Sequence, residues 1–211
     1  MTKLNKLIIA CDGESASGKS TAAKLISKRY NLLLINSGLL YRYASKLLIK
    51  NKPKNVINFL KKKFKNVSYK NLSKLNLHSE EISYHVATIA KNKKIREIIN
   101  KFQKRLIKNN KKICVEGRDI ASKILAKNPR YDFAFYFKCN VKTASYRRWL
   151  DIKKKVPLKD VQNSLRKRTM MDKKRKNSPL IKVKDAILIR TDKLSKKQVL
   201  EKMVKCIEKF S

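Results

Sequence analysis

A glycine-containing octapeptide near the start of the chain has the residue types and spacing of a phosphate-binding loop. Gly13-Glu14-Ser15-Ala16-Ser17-Gly18-Lys19-Ser20 matches the pattern Gly-x4-Gly-Lys-Ser/Thr, and Thr21 follows it. Such loops hold a β-phosphate through backbone N–H groups and the positive end of the next helix. Lys19 would reach the β- and γ-phosphate oxygens, and the Ser20 hydroxyl would bind Mg²⁺. The sequence therefore predicts a nucleoside triphosphate site over residues 13–21.

The two glycines outside this loop lie in two further short motifs. The chain has only four glycines, where a protein of this length would carry about fifteen. Gly38 closes Asn36-Ser37-Gly38, and Gly117 opens Gly117-Arg118-Asp119. Glycine suits positions where the backbone turns sharply or approaches a ligand closely. We therefore expect both motifs to contact nucleotide.

Arginines near these motifs suggest that more than one phosphate is bound. Arginine grips phosphate with two parallel hydrogen bonds, which lysine does poorly. For any single arginine a surface salt bridge remains the alternative, but the set indicates phosphate clamping. Its members are Arg42, Arg96, Arg118, Arg147, Arg148, Arg168 and Arg175.

Five apolar runs alternate with helical patterns, which predicts an α/β fold: a P-loop NTPase fold with a parallel five-stranded sheet flanked by helices. Ligands of such sheets bind beyond the carboxyl ends of the strands, so the three glycine motifs should converge there. The predicted strands are Leu7–Cys11, Leu32–Ile35, Ile113–Val115, Phe133–Phe137 and Ala186–Ile189. The predicted helices start at Lys19 and then cover Leu39–Lys50, Val56–Phe64, Glu80–Ala90, Lys93–Lys108, Val141–Leu150, Val161–Arg168 and Ser195–Phe210. We expect an irregular insert over Phe64–His78.

The composition favours one enzyme domain over a nucleic-acid-binding protein. At 24.6 kDa the chain fits a single domain, residues 1–211. The formal net charge of +40 is spread over the whole length, and aromatic residues are not interleaved with the lysine runs as stacking platforms. We expect no dedicated nucleic-acid partner, although the charge should speed the capture of polyanionic substrates.

Cysteine usage and hydropathy indicate a cytoplasmic protein without a membrane partner. No stretch approaches transmembrane length, and the cysteines form no CxxC pair or metal-binding spacing. We expect reduced, mostly buried thiols at Cys11, Cys114, Cys139 and Cys206. The two histidines, His78 and His85, are too few for a zinc site and are interpreted as surface or packing residues.

Several motifs, taken in order, resemble those of bacterial cytidylate kinases over essentially the whole chain. The phosphate-binding loop alone is generic, whereas the combination is specific. The other motifs are Asn36-Ser37-Gly38-Leu39-Leu40-Tyr41-Arg42, Ile95-Arg96-Glu97, Glu116-Gly117-Arg118-Asp119-Ile120, and Arg168-Thr169-Met170-Met171-Asp172-Lys173-Lys174-Arg175 with Pro179.

The resemblance implies transfer of the ATP γ-phosphate to CMP or dCMP with Mg²⁺ as cofactor. It implies that Arg96 and Asp119 read the cytosine, that Asp172 holds the sugar hydroxyls, and that Arg147 and Arg148 belong to a lid over ATP. The residues implied to contact the CMP phosphate or to clamp the transferring group are Ser37, Arg42, Arg118, Arg168 and Arg175. The implied parts are a monophosphate-binding region at about 38–110, which contains a small insert, and a lid region at about 150–179, in a chain expected to be a monomer.

Three positions depart from the family pattern. Asn36 replaces the usual Asp before Ser-Gly, Ala87 replaces a serine that helps to recognise the base, and Ala121 replaces the usual Gly after Gly-Arg-Asp-Ile. The insert at about Phe64–Glu80 is also short. The preference among CMP, dCMP and UMP therefore stays open. The alternatives are another P-loop small-molecule kinase, of uridylate or adenylate type, and a basic RNA-binding protein.

Overall fold

The computed structural model describes residues 5–77 and 79–209, which belong to two compact units. One unit combines Met1–Ile35 with Asn110–Ser211, and the other is Asn36–Asn109. The roles expected for the regions at about 38–110 and 150–179 stay predictions. His78 and Phe210, which the sequence analysis assigned to the insert and the last helix, lie outside the described residues.

A five-stranded sheet in the order β2-β3-β1-β4-β5 forms the centre of the first unit. Strand β1 pairs in parallel with β3 and β4, and β4 pairs in parallel with β5. All five predicted strands are present, and most extend one or two residues further than predicted. Their bounds are β1 Leu7–Gly13, β2 Leu33–Asn36, β3 Lys112–Gly117, β4 Phe133–Lys138 and β5 Ile187–Arg190.

The central strand β1 is buried along its whole length, as its continuous apolar run predicts. Its carboxyl end lies beside the ends of both neighbours, because Asp12 is in register with Gly117 on β3 and with Tyr136 on β4. At Gly13 a Cβ atom would lie 2.4 Å from the Phe137 carbonyl oxygen. Only glycine therefore lets the chain leave the sheet at this point.

Nine helices are present in the described residues, and their bounds largely match the predictions. Helix α2 begins at Ser37 because the Asn36 side chain accepts a hydrogen bond from the Leu39 N–H and caps the helix. The helices are α1 Lys19–Tyr30, α2 Ser37–Asn51, α3 Val56–Asn66, α4 Tyr69–Leu72, α5 Glu80–Ile89, α6 Lys93–Lys108, α7 Val141–Asp151, α8 Leu158–Lys174 and α9 Lys196–Lys209.

Three features differ from the predicted elements. The expected irregular insert contains the short helix α4, and a π-helical turn at Ile120–Ile124 was not foreseen. Helix α8 extends over Leu158–Lys174, whereas the sequence predicted only Val161–Arg168. Val161 is the only buried residue of this helix, so no buried apolar face marks its ends.

Each unit has its own apolar core. In the first unit, α1 and α9 pack with the strands around the buried residues Ile9, Ile26, Phe135 and Met203. In the second unit, α2, α3, α5 and α6 enclose a cluster in which the Phe64 ring contacts its aromatic neighbours edge to face.

The described cysteines agree with the prediction of mostly buried free thiols. Cys11, Cys114 and Cys139 are buried, and Cys206 is half-buried. Across residues 5–77 and 79–209, no helix has the length and hydropathy needed to cross a membrane.

Candidate active site

The loop that follows β1 is held in place by one of its own side chains and by Thr191, which follows β5. Gly18 has a φ of 81° and precedes the first residue of α1, so a left-handed residue opens the helix. The Ser17 hydroxyl donates to the Glu14 carbonyl at 2.9 Å, and the Thr191 hydroxyl donates to the Ser17 carbonyl at 3.0 Å. The loop therefore meets α1 with N–H groups at the positive end of a helix, which suits an anion.

Lys19 is a buried cation at the start of α1. Its side chain is 7% exposed, and Nζ donates to the Glu14 carbonyl at 3.4 Å. Burial, and next the positive charge of Arg118, lower the pKa of Lys19 from 10.5 to about 7. The ammonium group therefore gains strongly from an added negative charge, which a bound phosphate would supply.

Ser20 and Glu116 bring oxygen ligands together at the carboxyl ends of β1 and β3. The Ser20 hydroxyl donates to Glu116 Oε2 at 2.6 Å, although 96 residues separate the two in sequence. Within the part of the chain that is described, no three His, Cys, Asp or Glu side chains gather as a metal site. Mg²⁺ typically binds one or two protein oxygens together with substrate phosphates rather than a full protein cage. The pair of oxygen donors fits that ion.

Asp12 joins β1 to the segment that follows Gly117-Arg118-Asp119. Its Oδ1 accepts from the Ile120 N–H at 2.9 Å, and its Oδ2 accepts from the Ala121 N–H at 2.8 Å. Burial raises the pKa of Asp12 to about 6 even though these two hydrogen bonds lower it. The carboxylate thus fixes the first turn of the π-helical segment.

Two arginines and two carboxylates form a continuous network between β3 and α8. Arg118 Nε lies 2.8 Å from Asp172 Oδ2, and Arg175 lies 3.6 Å from the other oxygen of Asp172. Arg175 also lies 3.4 Å from Asp119 Oδ1. All four side chains are at most 18% exposed. Sequence motifs that lie more than fifty residues apart are therefore brought into one charged cluster.

Helix α8 also contacts the phosphate-binding loop itself. Lys173 Nζ lies 2.7 Å from Glu14 Oε1, and the Ser15 N–H donates to the Thr169 hydroxyl at 3.4 Å. Arg118 donates to the Ser15 hydroxyl at 3.4 Å. The carboxyl-terminal half of α8 is therefore fixed against the loop by polar contacts.

The three other candidate arginines of the first unit, Arg147, Arg148 and Arg168, differ in their positions. Arg168 is exposed on α8, and its positive charge contributes to lowering the pKa of Lys19 after burial and Arg118. Arg147 on α7 donates to the Asp192 carbonyl at 3.2 Å, so its guanidinium contacts the loop after β5. Arg148 is exposed on α7. The structure thus relates Arg168 to the lysine of the loop, whereas Arg147 contacts other backbone.

The second unit positions its own candidate residues on α2, α5 and α6. Ser37 is buried in the first turn of α2. Arg42 donates to the Ser83 hydroxyl on α5 at 2.8 Å. Arg96 is 4% exposed, donates to the Ala90 carbonyl at 3.3 Å and lies over the Tyr41 ring.

Several residues at the site were not assigned a role from the sequence. Asp12 and Glu116 are carboxylates at the carboxyl ends of buried strands, a position that could have identified them. Lys173 and Thr169 lie inside the quoted motif Arg168–Arg175, but their own positions indicated no role. Convergence of the Gly13 and Gly117 motifs is confirmed within the first unit. The Gly38 motif belongs to the other unit, and its convergence stays a prediction.

Comparisons with known proteins identify a family over almost the entire chain. A family model described as cytidylate kinase matches residues 9–209. The cytidylate kinase of Clostridium tetani is 32% identical, over 96% of this chain and 94% of its own length. Those of Fusobacterium nucleatum and Aquifex aeolicus are each 30% identical, over 98% and 96% of this chain and over 99% and 96% of their own lengths.

Solved structures of low sequence identity share the fold. An uncharacterized protein from Eubacterium ventriosum superposes with a TM-score of 0.60 at 19% identity, covering 96% of this chain and 99% of its own. A shikimate kinase from Bacteroides thetaiotaomicron superposes with a TM-score of 0.51 at 8% identity, covering 96% of this chain and 98% of its own. These likenesses concern the fold alone, and they confirm the predicted α/β fold of P-loop kinases.

Proposed function

Because the chain belongs to the cytidylate kinase family, we propose that it transfers the γ-phosphoryl group of ATP to CMP or dCMP and releases ADP with CDP or dCDP. The observation that carries this proposal is the charged cluster of Arg118, Asp119, Asp172 and Arg175, which joins two of the family motifs through ion pairs of 2.8, 3.4 and 3.6 Å. The buried ammonium of Lys19 at the start of α1 supports the triphosphate site.

The reaction needs charge neutralisation rather than a general base. The nucleophile is a phosphate oxygen of CMP, which is already an anion. The difficulty is to bring two polyanions together while charge moves from the γ-phosphoryl group to the leaving oxygens. Lysine and arginine side chains meet that need.

On the donor side, residues 13–21 would hold the triphosphate of ATP. Backbone N–H groups of the loop and the start of α1 would bind the β-phosphate, and Lys19 would bind the β- and γ-phosphate oxygens. Ser20 and Glu116 are the residues that would hold Mg²⁺, directly or through water. When bound, the ion supplies positive charge to the phosphate oxygens.

On the acceptor side, the family motifs supply the candidate contacts with CMP. Ser37 and Arg42 would bind its phosphate, and Arg96 would read its base. Asp119 would also read the base, and Asp172 would hold the sugar. The side chains that would bind the CMP phosphate or the transferring group also include Arg118, Arg168 and Arg175. These assignments rest on the family motifs, on the burial of Ser37, Arg96 and Asp119, and on the ion pairs that Arg118 and Arg175 make with Asp172 and Asp119.

The segment at about 150–179 would act as the lid. It contains α8, whose polar contacts with Glu14 and Ser15 connect it to the phosphate-binding loop. Closure over the substrates would exclude water and so prevent hydrolysis of ATP. Arg147 and Arg148, on the preceding helix, are proposed to lie on the ATP side of this lid.

An acceptor panel tests the proposal. The purified protein, with ATP and Mg²⁺, is offered CMP, dCMP, UMP, AMP and shikimate in separate assays, and ADP and the phosphorylated product are both quantified. We expect the highest kcat/KM with CMP or dCMP. A preference for AMP or shikimate would replace the proposal by another small-molecule kinase. Size-exclusion chromatography with light scattering tests the further expectation of a monomer, and RNA retention at physiological salt tests the expected absence of a nucleic-acid partner.

A further inference from the structure

We propose that Asp12 is a positioning residue for Gly117-Arg118-Asp119, which we call the acceptor motif. It would act on Arg118 and Asp119 through the backbone of Ile120 and Ala121. The inference rests on the proposed function, because that function assigns the motif to CMP. Asp12 is 3% exposed, and each of its two oxygens accepts one of two consecutive N–H groups. The residues that donate these hydrogen bonds follow directly after the motif.

The hydrogen bonds from Ile120 and Ala121 meet a need of the π-helical turn. The first N–H groups of a helical segment have no partner within the segment, and a preceding side chain commonly supplies one. Asp119 occupies that preceding position but does not cap the turn. Its carboxylate instead lies 3.4 Å from Arg175. Asp12, on β1, accepts the hydrogen bonds from these N–H groups. The side chain of Asp119 is therefore available for the charged cluster.

Asp12 also connects the acceptor motif to the phosphate-binding loop. It is the residue directly before Gly13, and its register partner on β3 is Gly117. One buried carboxylate therefore fixes the distance between the start of the phosphate-binding loop and the backbone that carries Arg118 and Asp119. A shift of about 1 Å in such an arrangement is enough to lower a reaction rate strongly.

The chain offers a control for the carboxylate-to-backbone hydrogen bond, although this second carboxylate is exposed and Asp12 is buried. Asp132 Oδ2 accepts from the Ile8 N–H at 2.7 Å, at the opposite end of the same strand β1. It makes the same kind of hydrogen bond, between a carboxylate and a backbone N–H, far from the glycine motifs. The variants Asp12→Asn, Asp12→Ala and Asp132→Asn therefore separate a general loss of such bonds from a loss of positioning.

We expect Asp12→Asn to raise the KM for CMP roughly tenfold and also to lower kcat, since one of its two accepting oxygens becomes an NH₂ group and the motif shifts relative to the phosphate-binding loop. Asp12→Ala should raise it further, and the KM for ATP should stay within about twofold in both variants. Asp132→Asn should leave both constants unchanged. Equal changes in the two constants, or an unchanged KM for CMP, would overturn the inference. If the wild-type protein does not phosphorylate CMP at all, the proposed function fails instead.

A measurement on the wild-type protein covers the case in which the Asp12 variants do not fold. Amide hydrogen exchange at Ile120 and Ala121 is followed by NMR with CMP alone and with ATP alone, and the Ile8 amide serves as the internal control. CMP should slow exchange at Ile120 and Ala121 by about threefold or more and leave Ile8 unchanged. The reason is that CMP bound to the motif would stabilise the two hydrogen bonds to Asp12. Unchanged exchange at both amides under saturating CMP would contradict the inference.

Discussion

The ammonium group of Lys173 lies 2.7 Å from a carboxylate oxygen of Glu14, which joins the last turn of α8 to the phosphate-binding loop. A carboxylate is an unusual neighbour for a triphosphate because like charges repel. Glu14 is only 10% exposed, whereas Lys173 is 43% exposed. The lysine therefore neutralises a largely buried negative charge at the place where the phosphates of ATP are proposed to bind.

The first prediction concerns the ion pair of Lys173 and Glu14. Lys173→Met should raise the KM for ATP by about three- to tenfold, because it leaves the Glu14 carboxylate without its cation; the effect stays modest because Lys173 is partly exposed. Adding Glu14→Gln to that variant should restore most of the affinity. Steady-state kinetics of the two single variants and the double variant measure the coupling, and Lys174→Met serves as the control. Additive effects would show that the pair does not act as a unit.

The second prediction concerns Lys19. Lys19→Ala should lower kcat by at least about a hundredfold, because the variant loses the cation that stabilises the transferring group. The fold should persist, since removing a buried charge relieves a desolvation cost. Circular dichroism and single-turnover assays test both parts. The matched control is Lys24→Ala, on the exposed face of the same helix. Near-normal turnover of the Lys19 variant would remove the loop lysine from the mechanism.

The third prediction is a dependence of stability on pH that Lys19 should cause. The pKa of Lys19 is about 7 in the folded protein, below its usual 10.5. Between these values the unfolded chain binds more protons than the folded one, so the free energy of unfolding should rise with pH. The rise is up to about 1.4 kcal/mol per pH unit for one group.

Urea unfolding at pH 7, 8 and 9 measures this dependence. Lys19→Met should lack the rise that the wild-type protein shows, so the stability difference between the two proteins should change steadily with pH. Identical slopes for both proteins would mean that Lys19 titrates near its ordinary value in the folded state.

The fourth prediction concerns the oxygen pair of Ser20 and Glu116. Ser20→Ala and Glu116→Gln should each raise the Mg²⁺ concentration needed for half-maximal activity by about fivefold or more, because each removes an oxygen ligand or its partner. At saturating Mg²⁺ part of the activity should return. Titration of Mg²⁺ at fixed ATP measures the shift. An unchanged Mg²⁺ requirement in both variants would place the ion elsewhere.

Much of the fold could be predicted because the signals are local. The apolar run of β1, the glycine loop and the start of α1 follow one another within the first 30 residues, and each has its own pattern. The start of α2 also has a local signal. Asn36 stands where the family pattern usually has Asp, but its amide oxygen caps the helix as well as a carboxylate does.

The missed features depend on partners that are distant in sequence. Asp12 and Ile120 are 108 residues apart in sequence, and no sequence pattern near Ile120 predicts a π-helical turn. The length of α8 was underestimated because only Val161 is buried in this helix, so no buried face marks where it begins and ends. Strand ends predicted where ligands would bind, but the pairing of Glu14 with Lys173 required the three-dimensional structure.

The most direct measurement follows the phosphate itself. The purified protein is incubated with ATP, Mg²⁺ and CMP, and ADP and CDP are quantified together by chromatography or ³¹P NMR. Transfer from ATP to CMP predicts that ADP and CDP accumulate in equal amounts. The formation of both should fall at least about a hundredfold in Lys19→Ala. ADP without CDP, or no ADP at all, would contradict transfer to the cytidine nucleotide.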